Sequence, residues 1–166
     1  MRLDAVHSPA RTAAKKSGRP TSGDAPPAVS PSRAPGGVSV RVRPRILFVD
    51  DEPCVLKSLA ATLRKQFEVI SASSAAEALE LLEREPGLRV VVSDYRMPGI
   101  NGADFLAQAR RRFPSTIRLL LSGAGAENVV LKDPQLIFRL LSKPCPRETL
   151  VLAIEDALAK WNVGVA

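Results

Sequence analysis

The chain has 166 residues, 45% of them hydrophobic and 25% charged, which is enough for one globular domain with a hydrophobic core but argues against two. No window approaches the roughly 18 consecutive apolar residues of a membrane span, and the N-terminal region has no apolar run typical of a signal peptide. We therefore expect a soluble, cytoplasmic protein without a membrane span. Cys54 and Cys145 lack the spacing of a metal site, so free thiols are expected.

Residues 1–44 differ in composition from the rest of the chain. They contain eight basic and two acidic residues, a net charge of +6 out of +7 for the whole chain, together with seven of the 14 prolines and no aromatic residue. Such a segment cannot bury enough apolar surface to offset its chain entropy, so we expect a disordered basic tail. Basic residues also suit nucleic acid, but the tail lacks the interleaved aromatic residues of a single-strand binder, so nucleic acid is not the expected partner.

From Arg45 onward, short apolar runs alternate with segments of helical periodicity. The predicted strands cover residues 45–50, 67–72, 88–94, 116–122 and 136–142. Helices are predicted to begin at Pro53, at Ser73 or Ser74, at Asn101 and at Pro146. The segment 124–136 has weak helical character, because Gly125 and Pro134 enclose little more than two turns, so we expect a short or irregular helix there.

Strands that alternate with helices predict right-handed crossovers and a parallel sheet covered on both faces. About five strands and five helices in roughly 120 residues fit a flavodoxin-like, doubly wound five-stranded sheet of order 2-1-3-4-5, whose ligands bind outside the carboxyl ends of the strands. The polar residues at the carboxyl ends of the buried strands should therefore meet at one rim. These residues are Asp50, Asp51 and Glu52 at the end of the first strand, Asp94 at the end of the third, Ser122 at the end of the fourth, and Ser142 and Lys143 at the end of the fifth.

The predicted rim combines acids, a hydroxyl group and an amine. Clustered carboxylates repel one another unless a cation compensates, and oxygen ligands of this kind suit Mg²⁺. A metal ion, a lysine and a hydroxyl group commonly occur together in sites that catalyse phosphoryl transfer. Asp94 is the best candidate nucleophile because it stands alone, whereas Asp50 and Asp51 form a pair suited to holding a metal.

At these residues the chain resembles the receiver domain of two-component response regulators. The resemblance runs from about Arg45 to Trp161, within a receiver domain expected over residues 45–163, and is carried by the segments ILFVDDEP, VVVSDYRMPGINGADFL, LLLSG and LLSKP. The segments DYRMPG and IFRLLSKP are similar to those of receivers found beside metal-dependent phosphodiesterase domains and in sensor kinases. Because no effector sequence follows Trp161, a stand-alone, single-domain response regulator is expected.

The resemblance also implies roles for individual residues. Asp94 corresponds to the phosphoacceptor. The implied Mg²⁺ ligands are Asp50, Asp51, Asp94 and the backbone carbonyl of Arg96, with Asp51 as the direct ligand of the acidic pair. Ser122 and Lys143 are expected to contact the phosphoryl group and take part in the switch, and Lys143-Pro144 is a candidate cis peptide bond.

The chain departs from the family pattern at Leu140, where the family usually has a Tyr or Phe that moves on activation. Phe138, two residues earlier, is expected on the same strand face but further from the rim, so it should not replace that aromatic residue. Cys145, where an aromatic residue often follows the Lys-Pro pair, is a further departure. Together with the weak segment 124–136, these differences suggest an unusual choice of partner.

Simpler interpretations of the same residues remain open. Asp50 and Asp51 also fit an acidic cluster that favours the dipole of the following helix. Lys143 can be interpreted as a solvated surface lysine, and Ser122 as a turn residue before Gly123.

The expected function is that of a phosphoacceptor signalling protein in a two-component system or phosphorelay. A sensor histidine kinase or phosphotransfer protein would donate the phosphoryl group, and output would pass through contacts with an unidentified protein target. No enzyme activity is expected beyond self-catalysed phosphorylation and dephosphorylation. The alternative is a phosphorylation-independent docking scaffold, which Leu140 favours and the intact Asp94, Ser122 and Lys143 disfavour.

Overall fold

The structure is a computed structural model that describes residues 43–123, 126, 128 and 132–164. All but the last two residues of the predicted basic tail, and six of the 13 residues of segment 124–136, lie outside this range. The predictions of a disordered tail and an irregular helix therefore stay predictions.

The described residues form five β-strands and four α-helices in strict alternation up to β4. The strands are β1 (Arg45–Val49), β2 (Glu68–Ala72), β3 (Val90–Asp94), β4 (Ile117–Ser122) and β5 (Arg139–Ser142). The helices are α1 (Pro53–Leu63), α2 (Ala75–Arg84), α3 (Gly102–Arg112) and α4 (Arg147–Gly164). None of the helices in the described part of the chain is both long and apolar enough to span a membrane.

The five strands form one parallel sheet of order β2-β1-β3-β4-β5, which confirms the predicted flavodoxin-like topology. The central strands β1 and β3 are apolar and buried almost throughout, as expected of a parallel sheet covered on both faces. The edge strands β2 and β5 each contain one buried residue, Ala72 and Leu141, and two exposed ones. The order places β1 beside β3, so the acidic residues after these two strands come to the same rim.

Two hydrophobic clusters cover the two faces of the sheet, because successive strand residues point to opposite sides. On one face, Leu47 and Val91 pack with Phe105 of α3. On the other face, Phe48 and Val92 pack with residues of α1 and α4 such as Leu56 and Ile154. These clusters hold both central strands, and with them the rim, in fixed positions.

Capping residues determine where the helices begin. Pro53 occupies the first turn of α1, where its missing N–H costs no hydrogen bond. The Ser74 hydroxyl accepts a hydrogen bond from the Glu77 N–H at 3.2 Å before α2. The Asn101 side-chain oxygen accepts one from the Asp104 N–H at 3.0 Å before α3. These three helix starts agree with the predictions.

The structure corrects the prediction for the last strand. β5 begins at Arg139 rather than at residue 136, because residues 134–136 form a turn in which the Leu136 N–H donates to the Asp133 carbonyl at 3.0 Å. Phe138 therefore precedes the strand, and it packs with the α1/α4 cluster while Leu140 packs with the α2/α3 cluster. The prediction that these two side chains share a face was wrong, because strand alternation does not extend back to Phe138.

Candidate functional site

The carboxyl ends of the parallel strands bring the predicted polar residues to one rim of the sheet. Asp50 follows β1, Asp94 ends β3, Ser122 ends β4, and Lys143 follows β5. Strand register aligns these ends: Asp94 pairs with Leu121, and Ser122 pairs with Ser142. The Lys143 N–H extends this alignment by donating to the Ser122 carbonyl at 2.8 Å.

Three carboxylates lie together at this rim. Asp50, Asp51 and Asp94 can each present one oxygen so that all three oxygens lie within 4.8 Å of one another. Asp50 is 3% exposed and Asp94 8% exposed, whereas Asp51 is half-buried. Acids this close to one another and this far from water repel unless a positive charge compensates them.

Lys143 supplies part of that positive charge. Its Nζ lies 2.9 Å from Asp94 Oδ1 and 3.3 Å from Asp50 Oδ2. Burial lowers the pKa of the Lys143 ammonium, but its hydrogen bond with Asp94 and the charge of Asp50 outweigh this and raise the pKa above its usual value. Lys143 is therefore protonated at neutral pH, and its contacts do not fit a freely solvated surface lysine.

Asp50 also takes part in the turn that leads into α1. Its Oδ1 accepts a hydrogen bond from the Glu52 N–H at 2.9 Å, and its own N–H donates to the Ala72 carbonyl of β2 at 3.2 Å. One carboxylate oxygen thus orders the turn while the other contacts Lys143. Asp50 therefore has both a local contact at the start of α1 and a contact with Lys143 at the rim.

The backbone around Asp94 is held by a close approach of α3 that the sequence did not predict. The Ser93 hydroxyl donates to the Asp94 carbonyl at 2.8 Å, and the Gly102 N–H donates to the Tyr95 carbonyl at 2.9 Å. A β-carbon at position 102 would lie 2.0 Å from the Asp94 carbonyl oxygen, so only glycine fits. The glycine in the motif INGADFL was the available signal, but its partner lies in another element.

A cavity of about 370 Å³ opens at this rim. Four of its lining residues were assigned roles from the sequence, and Glu52 was expected at this rim without a role; Gly123 is the one lining residue that the sequence did not assign to the site. The lining residues are Asp51, Glu52, Asp94, Arg96, Gly123 and Lys143. Ser122 is buried directly before Gly123, and Leu140 lies inside β5, where it pairs with Leu120; neither belongs to this lining.

Two further predictions concern residues next to the rim. The Lys143-Pro144 peptide bond is cis, as predicted. Cys54 and Cys145 are free cysteines, also as predicted, and burial raises the pKa of the Cys145 thiol. Cys54 is exposed and Cys145 half-buried.

Comparison with known sequences and structures finds similarity to response regulator receiver domains. The sequence model of the response regulator receiver domain matches residues 46–155. The hydrogenase transcriptional regulatory protein HoxA of Cupriavidus necator is 35% identical over 115 residues, which cover 68% of this chain and 24% of HoxA. The transcriptional regulatory protein GlrR of Escherichia coli is also 35% identical over 115 residues, covering 68% of this chain and 26% of GlrR. The chain thus spans about a quarter of the length of these curated relatives.

A solved structure supports the same assignment. The signal receiver domain of an HD domain-containing protein from Pseudomonas fluorescens has a TM-score of 0.67 and 32% sequence identity to this chain. The match covers 73% of this chain and 98% of that domain. The similarity therefore extends over nearly the whole solved domain.

Proposed function

Because the chain belongs to the response regulator receiver domain family, we propose that it is a phosphoacceptor signalling protein in which Asp94 accepts the phosphoryl group. Receiver domains are signalling modules of two-component systems, in which they work with sensor kinases. One observation carries the proposal. The Asp94 carboxylate lines an open cavity with Asp51 beside it and the Lys143 ammonium 2.9 Å away.

The acidic cluster fits Mg²⁺. Asp50, Asp51 and Asp94 offer hard carboxylate oxygens within 4.8 Å of one another, and the single ammonium of Lys143 does not balance their charge. In our proposal Asp51 and Asp94 are direct ligands, the Arg96 backbone carbonyl is another, and Asp50 completes the acidic set. When bound, Mg²⁺ would neutralise negative charge on the phosphoryl oxygens.

The reaction needs a nucleophile, a cation and a hydroxyl group from this chain. A carboxylate oxygen of Asp94 attacks the phosphorus atom of a phosphohistidine donor; the new O–P bond forms as the donor P–N bond breaks, leaving an acyl phosphate. Lys143, which contacts Asp94 before the reaction, then pairs with a phosphoryl oxygen as a point charge. The Ser122 hydroxyl donates to another phosphoryl oxygen. The donor in this proposal is a sensor histidine kinase or a phosphotransfer protein.

Phosphorylation would act by shifting the domain between two conformations. The backbone hydrogen bond from Lys143 to the Ser122 carbonyl couples the two residues that contact the phosphoryl group. Leu140 lies three residues before Lys143 and packs on the α2/α3 cluster, so a change at Lys143 can reach this face of the sheet. Output then passes through contacts with another protein.

A second function, that of a phosphorylation-independent docking scaffold, is favoured by Leu140. A leucine that packs as a half-buried core residue does not provide the aromatic ring that other receivers move on activation. In that case the residues at the rim would keep their arrangement, but phosphorylation would cause no change of conformation elsewhere in the domain.

The test of the proposed function is phosphorylation by acetyl phosphate with MgCl₂, followed by intact-protein mass spectrometry. We expect one added phosphoryl group on the wild-type chain and none on Asp94→Asn. Asp156→Asn is the matched control, because Asp156 lies on α4 and pairs with Arg139 at 2.9 Å, so this variant should be labelled like the wild type. Labelling that persists in Asp94→Asn would place the acceptor elsewhere. No labelling of a folded wild-type chain would favour the scaffold.

A further inference from the structure

A second cavity, of about 650 Å³, lies at the opposite end of the sheet from Asp94. It is formed by the ends of α3 and α4, the start of β4 and the segment before β5. Its lining residues are Arg110, Pro114, Ile117, Arg118, Pro134, Gln135, Ile137, Phe138 and Lys160. Arg118 pairs with Val91 and Leu121 pairs with Asp94, so the two sites are three strand residues apart, or roughly 10 Å along the sheet.

The charged residues that line this cavity in the described part of the chain are all basic. Arg110 from α3, Arg118 from β4 and Lys160 from α4 line it, and among the described residues no acid does. Asp133, whose carboxylate pairs with Arg110 at 2.7 Å, compensates part of this charge. Counting that pair as neutral leaves Arg118 and Lys160, an excess of two positive charges.

Arg118 is held in place rather than free in solution. Its Nε donates to the Leu136 carbonyl at 2.8 Å and its Nη1 to the Thr116 carbonyl at 2.6 Å. These bonds use two of the five N–H donors of the guanidinium group and fix the plane of the group at the cavity wall. A cation oriented in this way loses little further entropy when it binds a ligand.

The surroundings of Arg118 disfavour its charge. Burial lowers the pKa of the Arg118 guanidinium, and the positive charge of Arg110 lowers it further, while Asp133 opposes this effect. The group nevertheless stays protonated at neutral pH, because an arginine pKa lies far above that range. The negative charge of a bound anion would offset both the cost of burying the guanidinium group and its repulsion from Arg110.

We propose that this cavity binds a small organic phosphate monoester. A phosphate monoester carries about 1.5 to 2 negative charges at pH 7, which matches the excess of two positive charges better than a single carboxylate does. The guanidinium group of Arg118 matches the geometry of phosphate oxygens. The apolar wall made by Ile117, Ile137 and Phe138 suits the organic part of such a ligand.

The proposal can be tested with phenyl phosphate as the probe, titrated into the ¹⁵N-labelled chain without Mg²⁺ and followed by NMR. We expect saturable shifts at the amides of residues 116–118, 136–138 and 160. Binding should weaken as salt increases, since the attraction is electrostatic. Inorganic phosphate should bind more weakly than phenyl phosphate, because it cannot use the apolar wall. Equal affinities for inorganic phosphate and phenyl phosphate would overturn the proposal that the cavity binds the organic part of the ligand. Shifts confined to residues at the Asp94 rim would show that the ligand does not bind in this cavity.

Charge-removing variants localise the binding. Lys160→Gln should weaken phenyl phosphate binding several-fold and should not affect folding, because Lys160 is exposed. Arg118→Gln should weaken it by about tenfold or more, since a hydrogen bond to a charged group is lost. Lys57→Gln, an exposed lysine on α1, is the matched control and should bind like the wild type. Unchanged affinity in a folded Lys160→Gln variant would overturn the proposal even if Arg118→Gln fails to fold. The test is independent of whether Asp94 is phosphorylated.

Discussion

Gly102 at the start of α3 lies against the Asp94 carbonyl so closely that a β-carbon at position 102 would be 2.0 Å from the oxygen. The same oxygen accepts the Ser93 hydroxyl hydrogen bond at 2.8 Å. The tip of β3 is therefore held by contacts with its own strand and with the next helix. The position of the Asp94 side chain depends on this contact, because the side chain is attached to the backbone segment that the contact fixes.

Gly102→Ala should consequently disturb both stability and the candidate site. The alanine methyl group would clash with the Asp94 carbonyl oxygen and force α3 away from β3. Overpacking of this kind lowers the free energy of unfolding by about 1–3 kcal/mol. Urea unfolding measures this loss, and labelling by acetyl phosphate should slow in parallel. Gly87→Ala is the control, because its β-carbon would meet only Arg45 Nη1 at 3.9 Å. Equal stability of the two variants would contradict the close approach.

Removing Lys143 should destabilise the domain in a pH-dependent way. Lys143→Met leaves the buried Asp50 and Asp94 without their ammonium partner, and we expect a loss of about 1–2 kcal/mol at pH 7, less than for a fully buried pair because Lys143 is one-third exposed. The pKa of Lys143 is raised in the folded state, so its contribution is complete below the unfolded pKa of about 10.4 and disappears as pH rises through the higher folded pKa.

The measurement compares wild type and Lys143→Met by denaturant unfolding in the absence of Mg²⁺ from pH 7 to pH 11. The difference in unfolding free energy should stay constant up to about pH 10 and shrink above it. Taking the difference removes the titration of other groups common to both proteins. A difference that grows with pH would show that the ammonium does not stabilise the folded rim.

The start of α2 offers a second pH-dependent contact. The Glu77 carboxylate accepts hydrogen bonds from the Ser73 N–H at 2.7 Å and from the Ser73 hydroxyl at 2.8 Å. The backbone bond from Ser73, followed by the hydroxyl bond, lowers the pKa of Glu77. Its stabilising effect is therefore present above the unfolded pKa of about 4.3 and is lost as pH falls through the lower folded pKa.

Glu77→Gln should thus lower the melting temperature at pH 7 but have less effect at about pH 3. The loss should be under about 1 kcal/mol, because the carboxylate is largely exposed to solvent. Glu80→Gln, an exposed glutamate on the same helix, is the control and should leave stability unchanged at both pH values. Ser74→Ala should cost about 1 kcal/mol at either pH, because the N-cap hydroxyl does not titrate. An equal loss for Glu77→Gln at both pH values would argue against a carboxylate contact.

Local sequence signals predicted the fold well, because they coincide with strong physical constraints. The run Val90-Val91-Val92 is typical of a strand buried on both faces, and Pro53 and Asn101 mark helix starts by their own chemistry. The meeting of the polar residues at one rim could be predicted from the topology, since the carboxyl ends of parallel strands lie at the same edge of the sheet. Tertiary contacts were not predictable in this way.

Three features show why the rest escaped the sequence. The closeness of Gly102 to Asp94 depends on how α3 packs, which no local pattern encodes. Phe138 was assigned to the wrong face because the turn at 134–136 delays the start of β5. The basic cavity joins Arg110, Arg118 and Lys160 from separate elements, so their convergence becomes visible only once the chain is folded.

Leu140 separates the two proposed functions. It lies in β5, pairs with Leu120 and is half-buried against the α2/α3 cluster. If phosphorylation drives a switch, hydrogen exchange of the wild-type chain should change around β4 and β5 after treatment with acetyl phosphate and MgCl₂. If the chain is a scaffold, labelling of Asp94 should leave exchange unchanged outside the rim.

Leu140→Tyr restores the aromatic residue that other receivers carry, and it should enlarge the phosphorylation-dependent change in exchange near β4 and β5. Leu140→Met preserves an apolar side chain of similar volume, costs less than about 1.5 kcal/mol, and should respond like the wild type. The size of the response, rather than the extent of labelling, is the quantity to compare, because Leu140 does not line the cavity at the Asp94 rim. A Tyr variant that is fully labelled and folded but shows no response would mean that this position does not transmit the signal.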